Sequence, residues 1–170
     1  ITPAYTAMSN QILEMTTRLP MAAKDIAAIV AAGAQSGIAK NELIGFAESA
    51  VKMGVAFDIT ADQAGQSMAE MRAAFKMTQP QVIALADQIN YLGNTSPNKA
   101  DKIMEVVQRI GALGEVGGFA SSSIAAMAAS LTSVEPDVAA TGIKNIILAM
   151  TKGESATKGQ VEAFEKLKLK

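Results

Sequence analysis

TADQAGQSMAEMRAAFKMTQPQVIALADQINYLG, residues 60–93, is the stretch that decides the fold. Two helix starts are written into it. Thr60-Ala-Asp-Gln63 and Thr78-Gln-Pro-Gln81 both have the capping-box form. In that form the Thr hydroxyl accepts from the backbone N–H three residues on, and the Gln reaches back to the Thr N–H. Behind the first box, Ala64, Met68, Met71 and Phe75 recur at spacings of three and four. Behind the second, Val82, Leu85, Ala86, Ile89 and Leu92 do the same. The period is that of a helix burying one face, and alternation of the strand type is absent. Gly93 reads as the stop of the second helix, and Gly93-Asn-Thr-Ser-Pro97 as a turn.

Outward from this stretch the pattern repeats. Upstream, Tyr5, Met8, Ile12, Met15 and Leu19 mark a helix stopped by Pro20; Ile26, Ile29 and Val30 mark a second, with Gly37 as its left-handed stop. A third runs from about Asn41 through Leu43, Phe46, Ala47, Ala50, Val51, Met53 and Phe57. Residues 51–59 are the nearest thing to a strand, but the restart at Thr60 favours helix. Downstream, Asn98 reads as the cap of a helix carrying Ile103, Val106, Val107 and Ile110. Gly111 to Gly118 holds four Gly in eight residues and reads as a loop. Ser121 to Ser123 offer caps for a helix through Ile124, Met127, Ala128 and Leu131. Pro136 suits the first turn of one carrying Ala139, Ile143, Ile146, Ile147 and Met150, ended by Gly153. Thr157-Lys-Gly-Gln160 is a third capping box, opening a last helix with Val161, Phe164 and Leu167.

The expectation is an all-α fold: a compact array of about nine short helices without a sheet, forming one domain over 1–170. The Gly-rich stretch at 111–120 is where it would divide into two subdomains. The chain starts at Ile1 and ends in Lys166-Leu-Lys-Leu-Lys170, which reads as a fragment of a much longer protein.

Composition narrows the chemistry. Of the 170 residues 49% are hydrophobic and 18% charged, the balance of a folded chain rather than a disordered one. Aromatics are 4%, Trp is absent and Met numbers 10, so the core must be built of small and flexible side chains. A net charge of −1 leaves no electrostatic footprint for specific nucleic-acid binding. With neither His nor Cys, the commonest general base, the commonest transition-metal ligand and every disulfide are excluded.

No residue is assigned to catalysis, cofactor binding or metal binding. Glu162 and Glu165 are offset by Lys158 and Lys166 as a solvated face, and Asp58 and Asp62 bracket a helix start where the dipole explains them. The glycines at 111, 114, 117 and 118 lack the preceding strand and following Lys-Ser/Thr of a phosphate loop. Val116 to Val134 is 19 residues without a charge, a length that raises a membrane span. Its Gly, Ser and Thr content favours a buried Ala-rich helix instead. The glycines inside helices, Gly45, Gly54, Gly65 and Gly142, are read as points of close helix approach; the alternative reading is lowered helix stability.

Several segments, taken in order, resemble the helical core region of bacteriophage tail tape measure proteins. They begin with Ile12-Leu-Glu-Met-Thr-Thr-Arg-Leu-Pro20 before an Ala-rich helix, then Gly37-Ile38 leading to Asn41-Glu42-Leu43-Ile44. Next comes Ala47-x-x-Ala50-Val-Lys-Met53, running through Phe57-Asp58 into Thr60-Ala61. The densest is Ala86-Asp-Gln-Ile-Asn-Tyr-Leu-Gly-Asn-Thr-Ser-Pro97, with Ala100-Asp-Lys-Ile103 and Val106-Val-Gln-Arg109. Ala139-Ala-Thr-Gly-Ile143 and Glu162-Ala-Phe-Glu-Lys-Leu167 follow. The family's usual Leu-Gly-Ile type ending is here Lys168-Leu-Lys170.

The resemblance implies a non-enzymatic virion tail component, present in the host cytoplasm during assembly, that helps set tail length and leaves during genome ejection. It implies self-association and contact with tail tube and assembly proteins. Membrane contact would belong to the parent protein rather than to this segment. The rival reading is a membrane-active helical domain, pore- or toxin-like, inserting its Ala/Ser/Gly-rich helix.

Overall fold

The computed structural model describes residues 3–131, 133–152 and 158–166. These form helices α1 (Pro3–Arg18), α2 (Ala23–Gln35), α3 (Leu43–Phe57), α4 (Ala61–Ala74), α5 (Gln79–Thr95), α6 (Ala100–Ile110), α7 (Ala112–Val116), α8 (Ser121–Ser130), α9 (Pro136–Thr151) and α10 (Lys158–Lys166). No strand occurs among the described residues. The nine longer helices are those the periodicity marks; α7 is an added short turn. Gly153, Thr157 and Leu167 lie outside the described residues.

The starts of α4 and α5 follow from local chemistry. Gln63 N–H donates to Thr60 Oγ1 at 3.3 Å, and Thr60 N–H donates to Gln63 Oε1 at 3.0 Å. Thr78 N–H donates to Gln81 Oε1 at 2.8 Å in the same pairing. Thr60→Ala is expected to lower stability by about 1 kcal/mol, read as a shifted urea midpoint with unchanged slope. A midpoint equal to the wild type would show that the box contributes nothing.

Helix α2 ends in a Schellman turn. Gly37 sits at φ +80°, Ile38 N–H donates to Gly33 O at 3.0 Å, and Gly37 N–H to Ala34 O at 3.1 Å.

Packing proceeds through neighbours. Helix α2 lies along both α3 and α4; α5 lies against α6 and α8; α6 also meets α8 and α9. One hydrophobic cluster, from Met15 through Phe46, Met71, Ile89 and Ile110 to Ile147, connects them. Among the described residues Phe46 is the largest fully buried side chain, and its ring fills a slot left open by Gly33: a Cβ there would lie 2.8 Å from ring carbons.

Four local expectations are corrected. Gly93 does not stop α5, which runs on to Thr95; a Cβ on Gly93 would sit 2.5 Å from Ala100 N, so the glycine admits the start of α6. Asn98 does not cap α6. Lys99 occupies the N-cap, and the Asn98 amide instead donates to Ala128 O and Leu131 O, both at 3.0 Å, at the end of α8. The residue preceding α8 is Ala120, without a side-chain cap bond from Ser121 to Ser123. The Gly-rich stretch is not simply loop: α7 lies within it, and Cβ atoms on Gly114 and Gly117 would collide with Ile124 and Ile147.

The helix-interior glycines divide. A Cβ on Gly54 would lie 3.2 Å from Ala64 Cβ and one on Gly65 3.3 Å from Ile29 Cα, the expected close approaches. Gly45 and Gly142 face open space, so close approach does not explain them. Gly45→Ala and Gly142→Ala are each expected to raise stability by roughly 0.5–1 kcal/mol in dilute protein. A drop in the urea midpoint of either would contradict the open-space reading.

Candidate functional site

The acidic side chains of the described residues are scattered along the helices. No group of three or more acidic side chains there is placed to hold a metal ion. Asp58 is the left-handed residue that ends α3, at φ 56°, and Asp62 lies in the first turn of α4, where the dipole favours it. Asp101 Oδ1 is buried without a hydrogen-bond partner, but it too lies in a first helical turn. Glu162 and Glu165 lie on α10 and are exposed.

Charged pairs are mostly structural. Glu48 is held below the usual carboxylate range, first by the hydrogen bond from Lys52 at 2.9 Å. Arg109 is pushed up, first by its hydrogen bond to Glu105. Both shifts favour the charged form of the group and follow from the pairing itself. Arg72 ties three helix ends together, donating to Glu42 Oε2 at 2.6 Å and to Gln79 Oε1 at 3.1 Å. Glu70 accepts from Gln108 at 2.6 Å, joining α4 to α6.

The 116–134 stretch is not a single helix. Residues 116–134 contain the end of α7, a turn, and α8, which stops at Ser130. Ile124, Ala125, Ala128 and Ala129 are buried in the core. Ten residues of helix are about 15 Å long, half the hydrocarbon thickness of a bilayer. Among the described residues no helix is long and apolar enough to cross a membrane.

What the molecule offers is surface. The methionines Met15, Met53, Met68, Met71 and Met104 are core filling, as their spacing predicts. Ile146, expected inside, is not: it is 47% exposed, alongside Val138 at 60% and Leu148 at 45%. These three lie on the outer side of α9, whose inner side buries Ala139, Ala140, Ile143 and Ile147. Periodicity missed this because an apolar residue one position from the buried stripe looks like part of it.

The family described as phage-related minor tail protein matches residues 9–170. A probable tape measure protein of Halomonas phage phiHAP-1 is 34% identical over 154 residues, covering 84% of this chain and 18% of that protein. The chain thus spans less than a fifth of that relative's length. No solved structure matches.

Proposed function

We propose, from the premise that this chain belongs to the phage-related minor tail protein family and is a structural component of the virion tail, that it works as one helical segment of a tape measure protein. In this reading it contributes to tail length, to assembly of the tail and to passage of the genome, and it acts by packing rather than by catalysis. Copies of it associate with each other and with tail tube and assembly proteins. The carrying observation is the coverage: 84% of this chain corresponds to only 18% of a relative named as a tape measure. A segment that is a small part of one long chain is what a ruler requires, since the length of the whole chain in residues sets its reach.

The physical scale gives the test. A continuous helix rises 1.5 Å per residue, so a segment of this size accounts for about 250 Å when fully helical and extended. In-frame deletion of the segment from the phage that encodes it is expected to shorten tails in electron micrographs by that order. Tails of unchanged length would overturn the tape measure reading while leaving family membership intact.

The globule must also open in this reading. A domain of this size is about 40 Å across, whereas one helix is about 10–12 Å wide. The small-residue, Met-rich core and the short helices, each marginal alone, support modest stability near the low end of about 5–15 kcal/mol. Persistence of the fold in several molar guanidinium would contradict that lability.

A further inference from the structure

The apolar stripes of the first eight helices share one phase. From Tyr5, steps of three and four in strict alternation land on Met8, Ile12, Met15 and Leu19. Continued without a break, the same steps reach Ile26 and Ile29 in α2, Leu43 and Phe57 in α3, Met68 and Met71 in α4, and Leu85 and Ile89 in α5. They go on to Ile103, Val106 and Ile110 in α6, and through Ile124 in α8 to Leu131. Most of these are core residues. No Asp or Glu falls on the series, and its charged members, Lys40 and Lys99, lie between helices. In α9 the phase is lost: Ile143 and Ile147 are buried off the series, while Val138, Thr141 and Asn145 are exposed on it.

Alternation of three and four is the heptad spacing of a coiled-coil seam. The globule does not require that spacing to survive its turns. Each helix there meets the core at its own crossing, and a helix–helix connection of any common length would serve. One residue more or fewer in a turn would swing every later stripe by about 100° around a straightened helix. With the turns as they are, residues 5–131 straightened would present one seam about 190 Å long, made of the side chains that now form the core. Pro20, Pro80 and Pro97 fall at the second and sixth places of the heptad, so they kink such a helix without placing a ring in the seam. Asp58 and Lys76, left-handed at φ 56° and 49° beyond the ends of α3 and α4, would relax to ordinary helical backbone.

We propose that residues 5–131 have a second packing, a long kinked helix whose seam joins copies of the chain side by side and in register. The proposal rests on the reading that the globule opens and that copies associate, and it gives the opened form its contacts. Opening alone would expose the core to water, and three prolines weaken a lone straight helix. The isolated chain therefore stays globular, and the seam forms where copies are held together in a tail. The same residues exchange core contacts for seam contacts, and α9, off the phase, takes no part.

Buried residues at different places of the heptad provide the test. Ala64 and Ala69 both lie in α4 and are 0% and 4% exposed, but Ala64 is on the seam and Ala69, at the second place, is off it. The 170 residues contain no Cys. Phage carrying Ala64→Cys or Ala69→Cys in the parent chain are oxidised with diamide, and disulfide-linked copies are measured on non-reducing gels against wild-type phage. Linked copies are expected to be at least about tenfold more abundant for Ala64→Cys, because only seam positions face their counterparts. In the isolated 170-residue chain both positions are closed off, and little linkage is expected from either variant. Val106→Cys, on the seam, and Ala125→Cys, off it, repeat the contrast at two further buried positions in case an α4 variant yields no tails. Equal linkage on and off the seam would overturn the seam and leave opening standing. No linkage at any of the four, with amine cross-linking still joining wild-type copies, would overturn the seam and leave association standing. No joined copies by either chemistry would overturn both readings.

Discussion

Phe46→Ala is expected to leave the domain largely unfolded at room temperature, or folded only with most of its stability gone. Phe46 is fully buried and sits in a slot that Gly33 keeps open between α2 and α3. Removing the ring deletes its transfer free energy and leaves a cavity that cannot collapse easily, because helix backbone forms one wall. Such truncations cost about 3–5 kcal/mol. Against a total near the low end of about 5–15 kcal/mol, that removes most of the margin. Urea unfolding followed by far-ultraviolet circular dichroism gives the number. A loss below about 1 kcal/mol would mean that the ring is not held as described. Phe46→Leu, which refills much of the space, is expected to recover more than half of the loss.

Gly93→Ala is expected to have the largest effect of any single added methyl at a helix-interior glycine. The new Cβ would lie 2.5 Å from Ala100 N and 2.8 Å from Ala100 Cα, and backbone cannot rotate away as a side-chain tip does. Helices α5 and α6 would have to separate at their junction, disturbing the contact of Leu92 with the core and the bonds made by Asn98. Overpacking of this kind costs about 1–3 kcal/mol, and backbone involvement sets the expectation at the upper end. Gly45→Ala provides the internal control, because the same chemical change there meets open space and is expected to stabilise. Equal urea midpoints for the two variants would contradict the packing geometry at Gly93.

The comparison of Gly93 with Gly37 shows what sequence could and could not carry. Both follow an apolar run, and both read as helix stops. Gly37 is one, at φ +80°, whereas Gly93 lies inside a helix and is needed because of Ala100. The first role is local and the second depends on where the next helix crosses. Thr60 and Thr78 were legible for the same local reason: a capping box is complete within four residues. Asn98 was misread as a cap of α6 because its true acceptors are 30 and 33 residues away. The core of α9 was legible in Ile143 and Ile147, yet Ile146 gave no sign of facing outward. Its outer face becomes a surface only once α6, α7 and α8 have taken the inner one.

Asn98 also imposes an order in time. Its amide serves carbonyls at Ala128 and Leu131, so it can make these two bonds only after α8 has left the ribosome. At about 5–20 residues per second, translation of those 30 intervening residues takes roughly two to six seconds. For that interval the α5–α6 corner is without this latch, because the two carbonyls that Asn98 serves have not yet been made. The bond that latches the α5–α6 corner is thus one whose acceptors are synthesised last, at Ala128 and Leu131.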